Sequence, residues 1–271
     1  MDITFIGGGN MAGAIIGGLI KQGWTPASIT VIEIAATARA QLESRLKVKT
    51  AQAVDAAAVQ ADCIVLAVKP QQMREVAQAL APLLRAQLVI TIAAGIRLAD
   101  LSRWLGGYSR MVRVMPNTPA LALAGVSGLY APPAASAADR AAAEQILGAV
   151  GATVWLEREQ DLDAVTAVSG SGPAYVFYFL EALERAASEL GLGQDTARKL
   201  ALETFAGAIK LACAAGEPPA TLRARVTSKG GTTERAILAL ETDGVKDAIA
   251  RAVRAAAECS RELGDELGQD K

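Results

Sequence analysis

Short apolar runs alternate with longer amphipathic stretches through the first part of the chain, and each change of period predicts a change of element. Ile3, Phe5 and Ile6 predict a buried strand, after which Met11 to Lys21 takes up helical spacing, with Ile15, Ile16, Leu19 and Ile20 on one side. Ser28 to Glu33 predicts the second strand, Thr37 to Leu46 the second helix, Val48 to Thr50 a short third strand and Ala51 to Val59 a further helix. The continuous apolar runs Asp62 to Val68 and Leu88 to Ile92 are of the kind buried in a parallel sheet. Between them, Pro70 suits the first position of a helix that carries Met73, Val76, Leu80 and Leu83. Arg110 to Val114, Val126 to Tyr130 and Thr153 to Leu156 predict the last strands, with a helix over Ala137 to Val150 between the final two. Strands alternating with helices in this way predict an α/β domain of the Rossmann type.

After Trp155 the strand pattern stops, and from about Gln160 the chain reads as helical almost to its end. Pro173 to Leu190 carries Val176, Phe179, Leu180, Leu183 and Leu190 at spacings that share one face, and Gly191 ends it. Asp195 to Ala214, with Leu202, Phe205 and Ile209 in register, and Gly244 to Leu267 predict two more helices. The expected organisation is a dinucleotide-binding domain over 1–159 and an all-α domain over 160–271, with no Pro/Ser/Gly-rich linker between them. Two polar, glycine-rich islands interrupt the helical part, Thr166 to Pro173 and Val226 to Thr233. Inside a helix glycine costs about 1 kcal/mol relative to alanine and serine competes for backbone hydrogen bonds, so both islands need some other justification.

The chemistry begins where the first strand meets the first helix. In Gly7-Gly8-Gly9-Asn10-Met11-Ala12, Gly7 permits the tight turn, Gly9 lets backbone approach a pyrophosphate and Ala12 lets the helix pack on the strand, the pattern of a dinucleotide fingerprint. The helix start adds free N–H groups and a partial positive charge for the anion. Glu33 closes the second strand at the position that faces the adenosine ribose in such folds. A carboxylate there binds the ribose hydroxyls of NAD, Arg39 nearby offers a phosphate partner for NADP instead, and a merely solvated strand-end acid is the third reading. Lys69 stands at the carboxyl end of a central strand, where parallel sheets bind ligands. Ala93-Ala94-Gly95 presents small residues that would admit a flat ring or simply pack a loop. In Met115-Pro116-Asn117-Thr118-Pro119 the prolines remove backbone donors and leave Asn117 and Thr118 as the available polar groups. In the second island, the N–H groups of Gly230, Gly231, Thr232 and Thr233 open a helix continuing ERAILAL and form a site sized for a carboxylate, with hydroxyls from Ser228 and Thr233 to complete it. The bland alternative is an N-cap with a flexible lead-in.

Composition narrows these readings by exclusion. The chain of 271 residues contains no histidine, which removes a Ser-His-Asp triad, a Cys-His pair and most zinc hydrolase sites, leaving lysine, hydroxyls, carboxylates or water for any proton transfer. The formal net charge of -1 offers no electrostatic footprint for nucleic acid. Cys63, Cys213 and Cys259 lack metal or redox spacing, and the first residues lack the basic, apolar and cleavable succession of a signal peptide, so a reducing cytoplasm is expected. Prolines and glycines interrupt the two longest uncharged stretches, Val114 to Ala138 and Ala164 to Leu180, so no membrane span is expected.

FIGGGNMA at the start, AVKP at Ala67 to Pro70, AAG at Ala93 to Gly95, MPNTP, DAVTAVSGSGPAY at Asp163 to Tyr175 and VTSKGGTT occur in one order across essentially the whole chain. Together they resemble the pyrroline-5-carboxylate reductase family. The resemblance implies reduction of the C=N bond of Δ1-pyrroline-5-carboxylate to L-proline with NADPH or NADH, the last step of proline biosynthesis. It also implies a homodimer or larger assembly of dimers, in which interleaved helical domains bring the substrate loop of one subunit to its neighbour's cofactor domain. By match to the family, Ser228, Gly231, Thr232 and Thr233 would hold the substrate carboxylate, with Thr233 nearest the ring nitrogen, and Thr166 and Lys69 would be further polar candidates near the reacting centre. Gly7, Gly9, Asn10 and Met11 would bind pyrophosphate. Ala67, Lys69, Pro70, Ala93 and Gly95 would line the nicotinamide side, and Ile6, Glu33, Val68 and Asn117 are the remaining cofactor-binding candidates. One departure is Lys229, where the family's loop usually has proline; it adds a donor and frees the backbone. The alternatives are a related imine or hydroxy-acid reductase and a non-catalytic dinucleotide sensor.

Overall fold

The computed structural model describes residues 1–269. Eight strands form one sheet in the order β3-β2-β1-β4-β5-β6-β7-β8. They are β1 (Ile3–Ile6), β2 (Ile29–Ile32), β3 (Lys49–Ala51), β4 (Cys63–Leu66), β5 (Leu88–Thr91), β6 (Met111–Met115), β7 (Gly125–Tyr130) and β8 (Gly151–Trp155). All neighbours pair in parallel except β7, which runs antiparallel to β6 and parallel to β8. Helices cover both faces, which is why the central strands read as unbroken apolar runs. On one face α1 (Asn10–Lys21) and α5 (Ala137–Gly148) bring Ile15, Ile16, Leu19, Ile146 and Leu147 onto Phe5, Cys63 and Val65. On the other, α3 (Met73–Leu80) and α4 (Leu98–Trp104) bring Met73, Leu80 and Leu101 onto Ile6, Ile64 and Leu66. The alternation within β1 and β4 thus assigns successive side chains to opposite layers.

Three local expectations change. No helix forms over Ala51 to Val59, despite its alanines. That connection leaves edge strand β3 and returns past β2 and β1 to β4, and it does so as a turn in which Asp55 accepts the Ala58 N–H at 2.7 Å and Ala58 accepts the Thr4 hydroxyl at 2.8 Å. Ala58 and Val59 are thereby buried under the sheet, a tertiary gain that overrides helix propensity. The helix α4 appears where no helix was expected. The first island does not break the helix: α6 (Asp161–Val165) continues through one π turn at Thr166–Gly170 into α7 (Gly172–Glu189), so the extra glycines and serines widen a turn.

Two compact units result, Met1–Ser171 with the chain from Ala256 onward, and Gly172–Ala255. The first therefore reaches past the expected boundary at Glu159 and takes in the last turns of α11 (Val245–Leu267). Those turns are fastened within it by Ser260 Oγ donating to Asp163 at 2.7 Å and by an Arg97–Asp265 ion pair at 2.7 Å. The second unit contains α7, α8 (Gln194–Ala215), α9 (Pro219–Arg225), α10 (Thr232–Thr242) and the beginning of α11. Gly191 and Gly216 take positive φ after α7 and α8. Much of its apolar surface is uncovered, including Phe177, Tyr178, Leu183, Ile209 and Leu238. Among the described residues no helix is long and apolar enough to cross a membrane, and no group of acidic or cysteine side chains is placed to hold a metal ion.

A part-buried ion pair holds β6 to the start of α4. Arg113, nearly inaccessible, donates to Glu159 at 2.9 Å, and the same Glu159 oxygen accepts the Leu98 N–H at 2.7 Å. Removing one partner leaves the other charge uncompensated, so Glu159→Ala should destabilise the fold by on the order of 3 kcal/mol. Urea unfolding of the variant, with an unchanged denaturant slope, checks this.

Candidate active site

The glycine turn is built against two neighbouring strands. Gly7 takes φ 102°, donates its N–H to Ile32 O at 2.8 Å, and lies so close to the end of β4 that a Cβ would stand 2.7 Å from the Ala67 carbonyl oxygen. Only glycine meets both demands. Gly9 is the N-cap of α1 in extended conformation, and a Cβ there would meet nothing within 4 Å, which leaves backbone open to a ligand. The first N–H groups of α1, at Asn10 and Met11, lack intrahelical acceptors. The Met11 side chain itself packs on the core.

Glu33 follows β2 and turns its carboxylate back to the glycines. Oε2 accepts the Gly8 N–H at 3.0 Å and Oε1 accepts the Ala35 N–H at 2.9 Å. Arg39 lies across the same strand end, with Nη1 donating to Glu33 O at 2.7 Å and Ile34 O at 2.9 Å. A cavity of about 400 Å³ brings Ile6, Gly7, Gly9 and Glu33 together with Ala67, Val68 and Lys69 from the end of β4. Pro70 caps this strand end by opening a short 3₁₀ turn with Lys69. Asn10 lies in the adjoining depression between α1 and α2 (Ala36–Leu46). Open backbone at Gly9, free donors at the head of α1 and a carboxylate held beside them form the donor and acceptor set that a dinucleotide requires.

A second, smaller cavity of about 190 Å³ joins Ala94 and Gly95 to Thr166, Ser171, Cys259 and Ser260. Gly95 takes φ 75°, and its loop packs so closely on α11 that a Cβ would approach Leu267 to 3.1 Å. The small residues of this loop thus serve packing on one side and leave a cavity on the other, while Ala93 is buried. Thr166 donates its hydroxyl to Leu162 O at 2.8 Å. Lys69 and Thr166 line different cavities. Asn117 is buried and its amide is committed within the protein: Nδ2 donates to Ser169 Oγ at 3.2 Å, and Oδ1 accepts the Val126 N–H at 2.9 Å. The amide expected to be available to a cofactor instead fastens the proline loop to β7 and the π turn.

In the second unit, the island 226–233 does open a helix, with Gly231 as the N-cap of α10. Two of the four N–H groups expected to face an anion have internal partners: Gly230 donates to Glu234 Oε2 at 2.7 Å and Gly231 to Ser228 O at 3.0 Å. The first intrahelical acceptor is Gly231 O, bonded by Arg235 N, so the N–H groups of Thr232 and Thr233 are not used within the helix. Ser228 and Thr232 are exposed and Thr233 is half-buried.

A family model described as pyrroline-5-carboxylate reductase dimerisation matches residues 159–263, and one described as NADP oxidoreductase coenzyme F420-dependent matches residues 2–95. The chain is 47% identical over 268 residues to the pyrroline-5-carboxylate reductase of Pseudomonas aeruginosa, covering 98% of each chain. It is 41% identical to that of Haemophilus influenzae, covering 96% of this chain and 97% of the other. The structure of a pyrroline-5-carboxylate reductase from Coxiella burnetii matches with a TM-score of 0.92 at 40% identity, over 97% of this chain and 98% of that one. A Plasmodium falciparum pyrroline carboxylate reductase solved with NADP bound matches with a TM-score of 0.86 at 27% identity, over 97% and 98%. The chain belongs to the pyrroline-5-carboxylate reductase family.

Around Lys229 the loop is tied by Glu234 Oε2 accepting the Gly230 N–H at 2.7 Å and by the Thr227 hydroxyl donating to Arg223 O at 2.7 Å. Ser171 and Ser260 were not foreseen as lining residues. Ser171 stands inside a recognised motif, but Ser260 lies in an alanine-rich helix far along the chain, where only the return of α11 to the first unit reveals it. Asn117→Ala should lower stability by about 1–3 kcal/mol, because it leaves the Val126 N–H unpaired. Unfolding and nucleotide titration of the same variant check that the residue acts as a fastener: affinity should change by no more than about threefold.

Proposed function

We propose that the chain reduces Δ1-pyrroline-5-carboxylate to L-proline with NADPH or NADH, as the last step of proline biosynthesis. The observation that supports this reading is the loop Ser228 to Thr233 at the head of α10, where the N–H groups of Thr232 and Thr233 are not used within the helix and hydroxyls of Ser228 and Thr233 belong to the same short segment. Family membership over nearly the full chain and a dinucleotide cavity at the strand ends support it.

A reduced nicotinamide bound in the cavity at the strand ends would supply the hydride for the imine carbon. Protonation of the imine nitrogen from water gives an iminium that already accepts hydride well, so the new C–H bond and the amine N–H account for the product without a histidine. The residues act by position and electrostatics. The Thr232 and Thr233 N–H groups, with the Ser228 and Thr233 hydroxyls, hold the carboxylate, Gly231 lets the helix begin beside it, and the Thr233 hydroxyl lies nearest the ring nitrogen. Ile6, Gly7, Gly9, Asn10 and Met11 hold the pyrophosphate end. Ala67, Val68, Lys69, Pro70, Ala93 and Gly95 line the nicotinamide side, with Lys69 as the polar group at the end of β4 and Thr166 as a further polar candidate in the cavity that Gly95 lines. Residues 1–159 carry the cofactor and 160–271 the dimerisation and substrate functions. The uncovered apolar side chains of the helical unit fit a homodimer, with dimers able to assemble further and the loop of one copy serving the cofactor domain of another. Such an enzyme works in the cytoplasm.

Mixing purified protein with reduced nucleotide and the imine should give loss of nicotinamide absorbance and stoichiometric proline; no loss with either nucleotide would overturn the reading. Thr233→Ala should reduce kcat/KM by roughly ten- to a hundredfold, the worth of one hydrogen bond to a charged group, with nucleotide affinity nearly unchanged. Equal damage to both would make the loop structural.

A further inference from the structure

We infer that this chain selects NADH over NADPH, and that Glu33 sets the choice. The inference rests on the dinucleotide reading of the cavity at the strand ends and on nothing about the imine.

Glu33 is not a solvated strand-end acid. Its backbone N–H continues the ladder to Ala51 O at 3.0 Å, and each carboxylate oxygen is held by one backbone N–H, Gly8 at 3.0 Å and Ala35 at 2.9 Å. Gly8 is itself closely packed: a Cβ there would come within 2.6 Å of a Leu42 methyl group and 3.3 Å of Glu33 Oε2. The carboxylate is therefore fixed before any ligand arrives, and each oxygen keeps accepting capacity that two neighbouring ribose hydroxyls can use. A 2′-phosphate in the same place would bring a dianion against a fixed carboxylate.

The nearby cations do not offset that charge. Arg39 has Nη1 committed to the Glu33 and Ile34 carbonyls and does not line the Glu33 cavity. Lys21 and Arg45 line the adjoining depression between α1 and α2, not the Glu33 cavity. Among the described residues, the one cation lining the Glu33 cavity is Lys69, which belongs to the end of β4. The nucleotide carried by a relative does not decide the matter, since the side chain after β2 makes the choice.

Calorimetric titration of the full-length protein with NADH, NADPH, ADP-ribose and 2′-phospho-ADP-ribose, without imine, tests this. The unphosphorylated ligand of each pair should bind about tenfold or more tightly than its phosphorylated partner. Glu33→Gln keeps an acceptor and removes the charge, and it should narrow that ratio by about tenfold, chiefly through tighter binding of the phosphorylated ligands. Arg39→Ala should leave the ratio unchanged. Tighter binding of NADPH by the unaltered protein, an unmoved ratio in folded Glu33→Gln, or a selective loss of NADPH in Arg39→Ala overturns the inference while leaving the dinucleotide reading intact. Failure to bind any of the four ligands overturns both.

Discussion

Gly7 rests with positive φ directly against the Ala67 carbonyl while its N–H reaches Ile32, and that close approach joins the ends of β1, β2 and β4 into one surface. A larger side chain would push the turn off β4, separate Gly9 from the strand ends and break the geometry that lets Glu33 accept the Gly8 N–H. The cavity, the anchored carboxylate and the direction of α1 all follow from this contact. It is a backbone constraint, so no polar side chain has to be held in place to maintain it.

The two glycine-rich islands resolve their conflict with helix formation in different ways. The first widens a helix by one π turn, and that geometry lets Ser169 meet Asn117 and places Thr166 and Ser171 along one cavity. Hydrogen bonds from a loop more than forty positions away in the chain stabilise a conformation that helix propensity alone disfavours. The second starts a helix, and its shape is kept by Glu234 reaching back to Gly230. A carboxylate from the protein already satisfies one donor of the loop, which leaves Thr232 and Thr233 as the N–H groups open to an external anion. Lys229 lacks the fixed φ that a proline would impose, and the Glu234 side-chain hydrogen bond constrains the loop.

Family membership and the local geometry bear on different parts of the activity. Similarity to pyrroline-5-carboxylate reductases over nearly the full chain places it in a reaction class. The choice of nucleotide depends on one side chain after β2 and its hydrogen bonds, which identity over the whole chain does not report.

Periodicity and glycine spacing were enough to read the strand and helix alternation, the fingerprint turn and the helical second part, because those signals are local and each residue's burial repeats with the element's own period. Edges shifted by a residue or two. Ala51 to Val59 was misread because an alanine-rich segment has high helix propensity, yet the crossover from β3 to β4 buries Ala58 and Val59 only as a turn. The motif residues at the cofactor cavity could be named in advance, but their roles could not all be assigned. Asn117 looked free until β7 and the π turn came against it, and Glu33 had three readings until Gly8 and Ala35 were seen to hold it. The sequence by itself determined the fold class, the family and the positions of the glycine turn and the loop proposed to carry chemistry. Tertiary structure alone decided which polar groups remain available to a ligand, because hydrogen-bond partners distant in the chain meet only after the sheet and its covering helices have packed.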